Sequence, residues 1–347
     1  MDVWKFTIGM NTTVIDAMKK LNETATGILL LIEGEIIKAT ITDGDIRRHI
    51  LQNGCLTDPV SVVANYHFKS VKPEDTEAAH QILSSGKLTC IPVVSSEGRL
   101  ISAVFAHEET KANKPALNMP VVIMAGGKGT RLYPHTKILP KPLIPIGEVT
   151  ITEHIISKFV EYGCSDFSLI INHQKNLIKA YFADQQISYN LSFFDEDEPL
   201  GTGGGLKLLE GRMRGTFFMT NCDIIIQENY ANILEHHNKQ NNIITLVSAT
   251  KNVKIPYGTL QLNGNGSVVQ INEKPSFSFL TNTGLYVIEP RFLDYIPDDE
   301  FVPITDTIEK CIQNGENVGT YPISEDQWLD MGQLTEMENM RKRLGVD

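Results

Sequence analysis

Apolar and polar positions change rhythm about a third of the way along the chain. Before residue 108 the pattern runs twice through helix, strand, turn and strand. The first pass has an amphipathic stretch over residues 13–22 and an apolar run, GILLLI, from Gly27. A turn at Glu33-Gly34-Glu35, a second strand (IIKATIT) and a charged helix start (DGDIRRHILQNG) follow. The second pass has a helical stretch over 75–86, a strand TCIPVV, a turn at Glu97-Gly98 and a strand LISAVF. Short apolar runs bounded by turn residues predict buried strands. A shared order at a period of about 60 residues reads as an internal duplication whose halves pack on each other.

The segment EETKANKPALNMP (108–120) is polar, carries two prolines and has no sustained period, so it reads as a linker. Beyond it strands and helices alternate. Strands are expected at 120–124, 167–172, 189–194, 216–220 and 242–248, and near 320–323. Helices are expected at 151–162, 177–182, from 205 to 210, and at 228–240. Such alternation predicts an α/β domain with a mostly parallel sheet covered by helices. Its ligands would sit at the carboxyl ends of the strands. Two turn-separated runs, 258–262 and 267–272, read as a hairpin over the site.

Composition narrows the choice. The 347 residues carry a net charge of −11, of which −9 falls in residues 119–347. An acidic chain is a poor non-specific binder of nucleic acid or membrane. Neither is expected as a partner. No apolar run approaches the ~18 residues of a membrane span, and the start MDVWKFTIGM has no leader pattern. Five scattered cysteines without metal-ligand spacing read as reduced thiols of a cytoplasmic protein. His154, His173, His236 and His237 lack a nucleophile or ligand motif beside them and read as structural or surface residues. Anion binding would therefore need a local cluster of donors.

Such a cluster follows the first strand of the second region: Ala125-Gly126-Gly127-Lys128-Gly129-Thr130-Arg131-Leu132, continuing to Leu139-Pro140-Lys141-Pro142-Leu143. Glycines let a backbone approach phosphates and aim N–H groups at them, and Arg131 can fork onto phosphate oxygens. It is neither a Walker A loop nor a dinucleotide fingerprint, which disfavours a dinucleotide-dependent oxidoreductase. A second glycine loop reads Glu198-Pro199-Leu200-Gly201-Thr202-Gly203-Gly204. Two aspartates follow strands, in Asn221-Cys222-Asp223 and in Trp328-Leu329-Asp330-Met331-Gly332. Asn272-Glu273-Lys274-Pro275 and Asn282-Thr283-Gly284 complete the set. Each has a plainer reading: a solvated acidic loop for Glu198, helix caps for the aspartates, an exposed turn at Pro275.

These motifs, in this order over most of residues 119–332, resemble the sugar-1-phosphate nucleotidyltransferases. His135 and Ile138-Leu139 are small departures. The resemblance implies a Rossmann-like mixed sheet of the GT-A type over residues 119–347. It implies a nucleotide held by Ala125, Gly126, Gly127, Gly129, Thr130, Glu198, Leu200, Gly201 and Thr202. The sugar would be held by Glu273, Asn282, Thr283 and Gly284. Arg131, Lys141 and Lys274 would be the catalytic cations, and Asp223 and Asp330 would hold Mg²⁺. An acceptor-only carboxylate at Glu198 suits guanine, which offers a ring N–H and an amino group, so GTP is the expected donor.

The N-terminal repeats, residues 1–115, resemble a tandem pair of cystathionine-β-synthase-type (CBS) modules of α+β structure. The resemblance is carried by Thr42-Asp43-Gly44-Asp45-Ile46-Arg47. In that family this corner often holds an adenine nucleotide, here through Thr42, Asp43 and Asp45. The same three residues serve equally well as a helix N-cap. The second repeat has Val104-Phe105-Ala106-His107-Glu108 at the matching place and departs from the pattern. A regulatory or oligomerising role, and hence a homo-oligomer, is implied. Transferases that carry such modules point to glucosamine 1-phosphate as acceptor, as in legionaminic acid synthesis. Mannose- and heptose-1-phosphate guanylyltransferases, and an inactive adenylate-sensing homologue, are the alternatives.

Overall fold

The computed structural model describes residues 3–24, 26–83, 88–105 and 115–346. The chain divides into two compact units. The first comprises Met1–Asn113, Thr250–Leu280 and Ser324–Asp326. The second comprises Lys114–Ala249, Thr281–Ile323 and Gln327–Asp347. Much of the expected linker, and part of the departing motif at 104–108, lies outside the described residues.

The second unit is built on a seven-stranded sheet. Its strands are β1 (Val121–Ala125), β2 (Asp166–Ile171), β3 (Asn190–Asp195), β4 (Phe217–Asn221), β5 (Ile244–Lys254), β6 (Ser276–Ile288) and β7 (Val318–Ser324), in the order β3-β2-β1-β4-β6-β5-β7. The run β3, β2, β1, β4 is parallel, and β6 pairs antiparallel with β4. Every residue of β1 is buried. Val121, Ile123 and Ala125 enter one apolar cluster, while Val122 and Met124 enter the other. That is the pattern of a strand covered on both faces. Helix α1 (Ile151–Val160) packs on the first cluster. It starts at a capping box in which Thr150 Oγ1 accepts from Glu153 N and Glu153 returns a carboxylate to Thr150 N.

The expected elements fall close to these bounds, with several differences, among them the helices Ile304–Gln313 and Leu334–Leu344, which the pattern did not predict. The glycine helix begins at Gly201, four residues before the expected start, and runs to Lys207. Tertiary contact overrides its poor helix propensity. Gly203 N and Gly204 N both donate to Val302 O, at 2.8 and 3.1 Å. Strand β5 runs on to Lys254 instead of stopping at Ser248. Two short strands, Ile224–Ile226 and Trp328–Asp330, pair antiparallel and were not expected from the pattern.

In the first unit the duplication is visible in the pairing. Thr7–Gly9 runs parallel to Ile28–Glu33, which is antiparallel to Ile36–Thr42. In the second repeat Val71 bridges Val93 in parallel, and Cys90–Val94 is antiparallel to Leu100–Phe105. The repeats share a core: Val3, Ile28, Leu30 and Ile37 cluster with Cys90 and Leu100. The hairpin Thr259–Leu262 with Val268–Asn272 belongs to this unit as well.

Candidate active site

The carboxyl ends of β1 and β4 carry the predicted chemistry. After Ala125 the chain enters the glycine loop, where Gly129 takes a left-handed conformation (φ +65). A Cβ there would meet Thr136 Cγ2 at 2.8 Å and Lys141 Cβ at 3.1 Å. Glycine is thus required for the loop to close against the segment bearing Lys141. Thr136 Oγ1 ties the two together by donating to Gly129 O at 2.9 Å. Arg131 and Thr130 are exposed on this loop. Arg131 makes no hydrogen bond or ion pair among the described residues.

The Lys141 ammonium donates to the carboxylate of Asp223, and both side chains are nearly buried. Asp330 is brought to the same place by the two short strands. Ile224 stands opposite Asp330 in the register, and Met331 N donates to Asp223 O at 2.8 Å. Gly332 N donates to Asp330 Oδ1 at 2.8 Å and fixes that carboxylate. Burial, then the Asp223 carboxylate and Glu336, hold the Asp330 carboxyl above its ordinary range. The Gly332 N–H and Lys141 offset this only in part. Two adjacent carboxylates, one of them desolvated and repelled, favour a cation between them. No group of three or more His, Cys, Asp or Glu is arranged for a metal among the described residues.

The floor of the glycine loop is a residue that sequence reasoning missed. Glu196 is buried, 5% exposed. A Cβ on Gly126 would stand 2.4 Å from Glu196 Oε2, and one on Gly205 would stand 2.8 Å from Oε1. The two glycines therefore flank this carboxylate, Gly126 from the glycine loop and Gly205 from the glycine helix. Burial raises its pKa, and the Leu200 N–H partly counters that. Glu198, the expected base reader, is exposed instead. On a strand end, residues two apart can share a face, but β3 stops at Asp195 and the chain turns, so Glu198 leaves the sheet. Nearby, an open cavity of about 470 Å³ is lined by Ile138, Asn172, Gln174, Lys175, Asn176 and Leu177.

Several other expected site residues also make packing contacts. Thr202 Oγ1 accepts from Ile304 N at 3.2 Å and caps the helix Ile304–Gln313. Cβ atoms on Gly201, Gly203 and Gly204 would each lie under 3 Å from backbone carbonyl oxygens of Val302 or Glu300. Their lack of a side chain serves that close approach. Thr283 is buried and donates to Val247 O at 2.7 Å, so its hydroxyl faces the sheet. Asn282 donates to Tyr286 Oη at 2.6 Å and accepts from Gly284 N at 3.2 Å. Gly284 (φ +93) abuts Asn221, two residues before Asp223. Glu273 and Lys274 lie exposed in the first unit, at the turn between Val268–Asn272 and β6. There Lys274 takes φ +47.

The model of the nucleotidyl transferase family matches residues 120–344. The chain belongs to that family. Among curated relatives, the UTP–glucose-1-phosphate uridylyltransferase of Synechocystis is 29% identical over 237 residues, 62% of this chain and 61% of that protein. The mannose-1-phosphate guanyltransferase of Yarrowia lipolytica is 31% identical over 227 residues, again 62% and 61%. The chain thus spans about three-fifths of the length of these relatives. Of solved structures, HddC from Yersinia pseudotuberculosis superposes with a TM-score of 0.52 at 21% identity, covering 65% of this chain and 99% of that one. A second HddC structure, complexed with GMP-PN, gives 0.51. These likenesses speak for the fold.

The segment that the family model matches holds Lys141, Asp223, Asp330 and Glu196, and it excludes residues 1–119. In that excluded part, Thr42, Asp43 and Asp45 act as a helix cap. Thr42 and Asp45 form a capping box, Asp43 pairs with Arg47 and Asp45 with Arg48. His237 is buried, with its ring nitrogens on Thr245 Oγ1 and Glu289 Oε1, a structural role as expected. Among the described residues no helix is long and apolar enough to cross a membrane.

Proposed function

We propose that the chain transfers a nucleoside monophosphate from a triphosphate to a sugar 1-phosphate, giving a nucleotide sugar and pyrophosphate. The observation that carries this reading is the convergence of Lys141, Asp223 and Asp330 beside the glycine loop. The attacking phosphate oxygen is anionic at neutral pH, so no general base is required. The difficulty is bringing two polyanions together, since unit charges ~4 Å apart repel by about 1 kcal/mol even in water. The loop N–H groups, Arg131 and Lys141 offset that repulsion and hold the triphosphate in line, and the family resemblance assigns Lys274 to the sugar phosphate. Asp223 and Asp330 would hold Mg²⁺, whose chemistry is to neutralise phosphate oxygens. The rest is positioning and electrostatics. The retention of all five residues argues against an inactive homologue.

GTP is the proposed donor, and Glu196, buried beside the glycine loop, joins Glu198 as a candidate reader of its base. A buried carboxylate accepts from both the ring N–H and the amino group of guanine. Uracil and thymine present one N–H between two carbonyls, which a carboxylate would repel. The guanylyl relative and the HddC complex with GMP-PN are in keeping with this. Glucosamine 1-phosphate is the proposed acceptor, on the resemblance to transferases that carry an N-terminal duplication. Mannose and heptose 1-phosphates are its competitors. The duplication itself we take as a CBS pair that responds to adenine nucleotide and contributes to a homo-oligomer. A matrix of four triphosphates against these three sugar phosphates, read by pyrophosphate release with and without AMP or ATP, tests the whole. No release with any pair would overturn the activity, and a preference for UTP would overturn the base assignment.

A further inference from the structure

The hairpin Thr259–Leu262 with Val268–Asn272 sorts its side chains by face. Leu260 stands opposite Ile271 and Leu262 opposite Val268, alternating with the pairs Thr259–Asn272 and Gln261–Gln270. Opposed residues share a face, and faces alternate along a strand. The register shift after Gln261 leaves Val269 as the extra residue and keeps Val268 opposite Leu262. Apart from the bulge residue Val269, itself 62% exposed, one face is aliphatic and the other polar. The aliphatic face is open: Leu260 is 58% exposed, Ile271 66%, Leu262 59% and Val268 50%.

Charge says what covers it. Residues 255–272 hold no Asp, Glu, Lys or Arg, in a chain that is 21% charged with a net charge of −11. Two copies of so acidic a chain repel each other over most of their surface. They can meet where charge is missing. A two-fold contact also places the same patch on both sides, so the patch must complement itself. An uncharged aliphatic face does so without any pairing of charges, and a patch of one sign does not. An anionic lipid surface is disfavoured by the net charge, and a nucleotide or sugar finds no donor on this face. The linker segment EETKANK offers a single small apolar side chain, Ala112, with which to cover it.

We infer that this face packs against the same face of a second copy of the chain across a two-fold axis. The interface core is small beside the ~800 Å² per partner of a standard complex. So few side chains favour weak association, with a Kd of about 1–100 µM as the expectation to be tested.

The test is sedimentation velocity of the full chain from about 1 to 100 µM, a range that brackets that affinity. The wild type should gain mass with concentration. Leu260→Lys with Ile271→Lys should halve the limiting mass, and so should Leu260→Glu with Ile271→Glu. Mixing the two variants at low ionic strength should restore the wild-type mass, which an unfolded variant would not do. Gln261→Lys with Gln270→Lys, on the polar face, should leave the wild-type mass unchanged. A wild type that stays monomeric overturns the proposal. So does a limiting mass unchanged in both apolar-face variants, or an equal loss in the polar-face control.

Discussion

Replacing Asp330 by Asn should make the protein more stable and nearly inactive at once. The carboxylate is held above its ordinary pKa first by burial and then by the charge of Asp223. A folded-state pKa raised above the unfolded one gives stability that is fully present below the unfolded pKa and is lost as pH rises through the folded pKa. At neutral pH the wild type therefore carries the cost of this charge. The amide is close in shape, and its oxygen still accepts the Gly332 N–H now made at 2.8 Å to Oδ1. Removing one such strained charge is worth about 0.5–2 kcal/mol, and each kcal/mol raises the Tm of a unit this size by about 2–4 °C. Turnover should fall at least ~10²-fold, the scale of losing one preorganised electrostatic contact. Thermal unfolding at neutral and acid pH, beside a pyrophosphate-release assay, reads both. The stability advantage should shrink as pH falls and the wild-type carboxyl protonates. A variant less stable than wild type at neutral pH, or one with full turnover, would refute the reasoning.

Lys141→Ala should lose activity to a similar degree with the opposite effect on stability. It leaves the nearly buried Asp223 without its partner, at a cost of about 3 kcal/mol measured by chemical denaturation. Glu196→Gln should raise the ratio of UTP to GTP use, since an amide offers a donor and an acceptor to a pyrimidine. It should also stabilise the apo-protein at neutral pH, because burial raises the Glu196 pKa. An unchanged nucleotide preference by competition assay would count against Glu196 as base reader. Thr150→Ala removes the capping box of α1. It should lower stability by about 1 kcal/mol, seen as a drop in denaturation midpoint, with little change in KM.

The sequence by itself set the chemistry and its order along the chain. Uninterrupted apolar runs such as VVIMA mark strands buried on both faces, and the loop after them must carry what reaches solvent. Three glycines with Lys141 downstream announce an anion site for the same local reason: backbone geometry and donor type are properties of short segments. Tertiary structure decided which polar side chains are free to act. Asp223 and Asp330 stand 107 positions apart, and only the pairing of Ile224–Ile226 with Trp328–Asp330 makes them neighbours. Glu196 and Glu198 are alike in composition, yet one is buried under the glycine loop and the other is in solvent. Thr202 and Thr283 fit the motif but are occupied by backbone atoms of Ile304 and Val247. Burial and hydrogen-bond partners depend on what packs from far along the chain, and no local pattern encodes that.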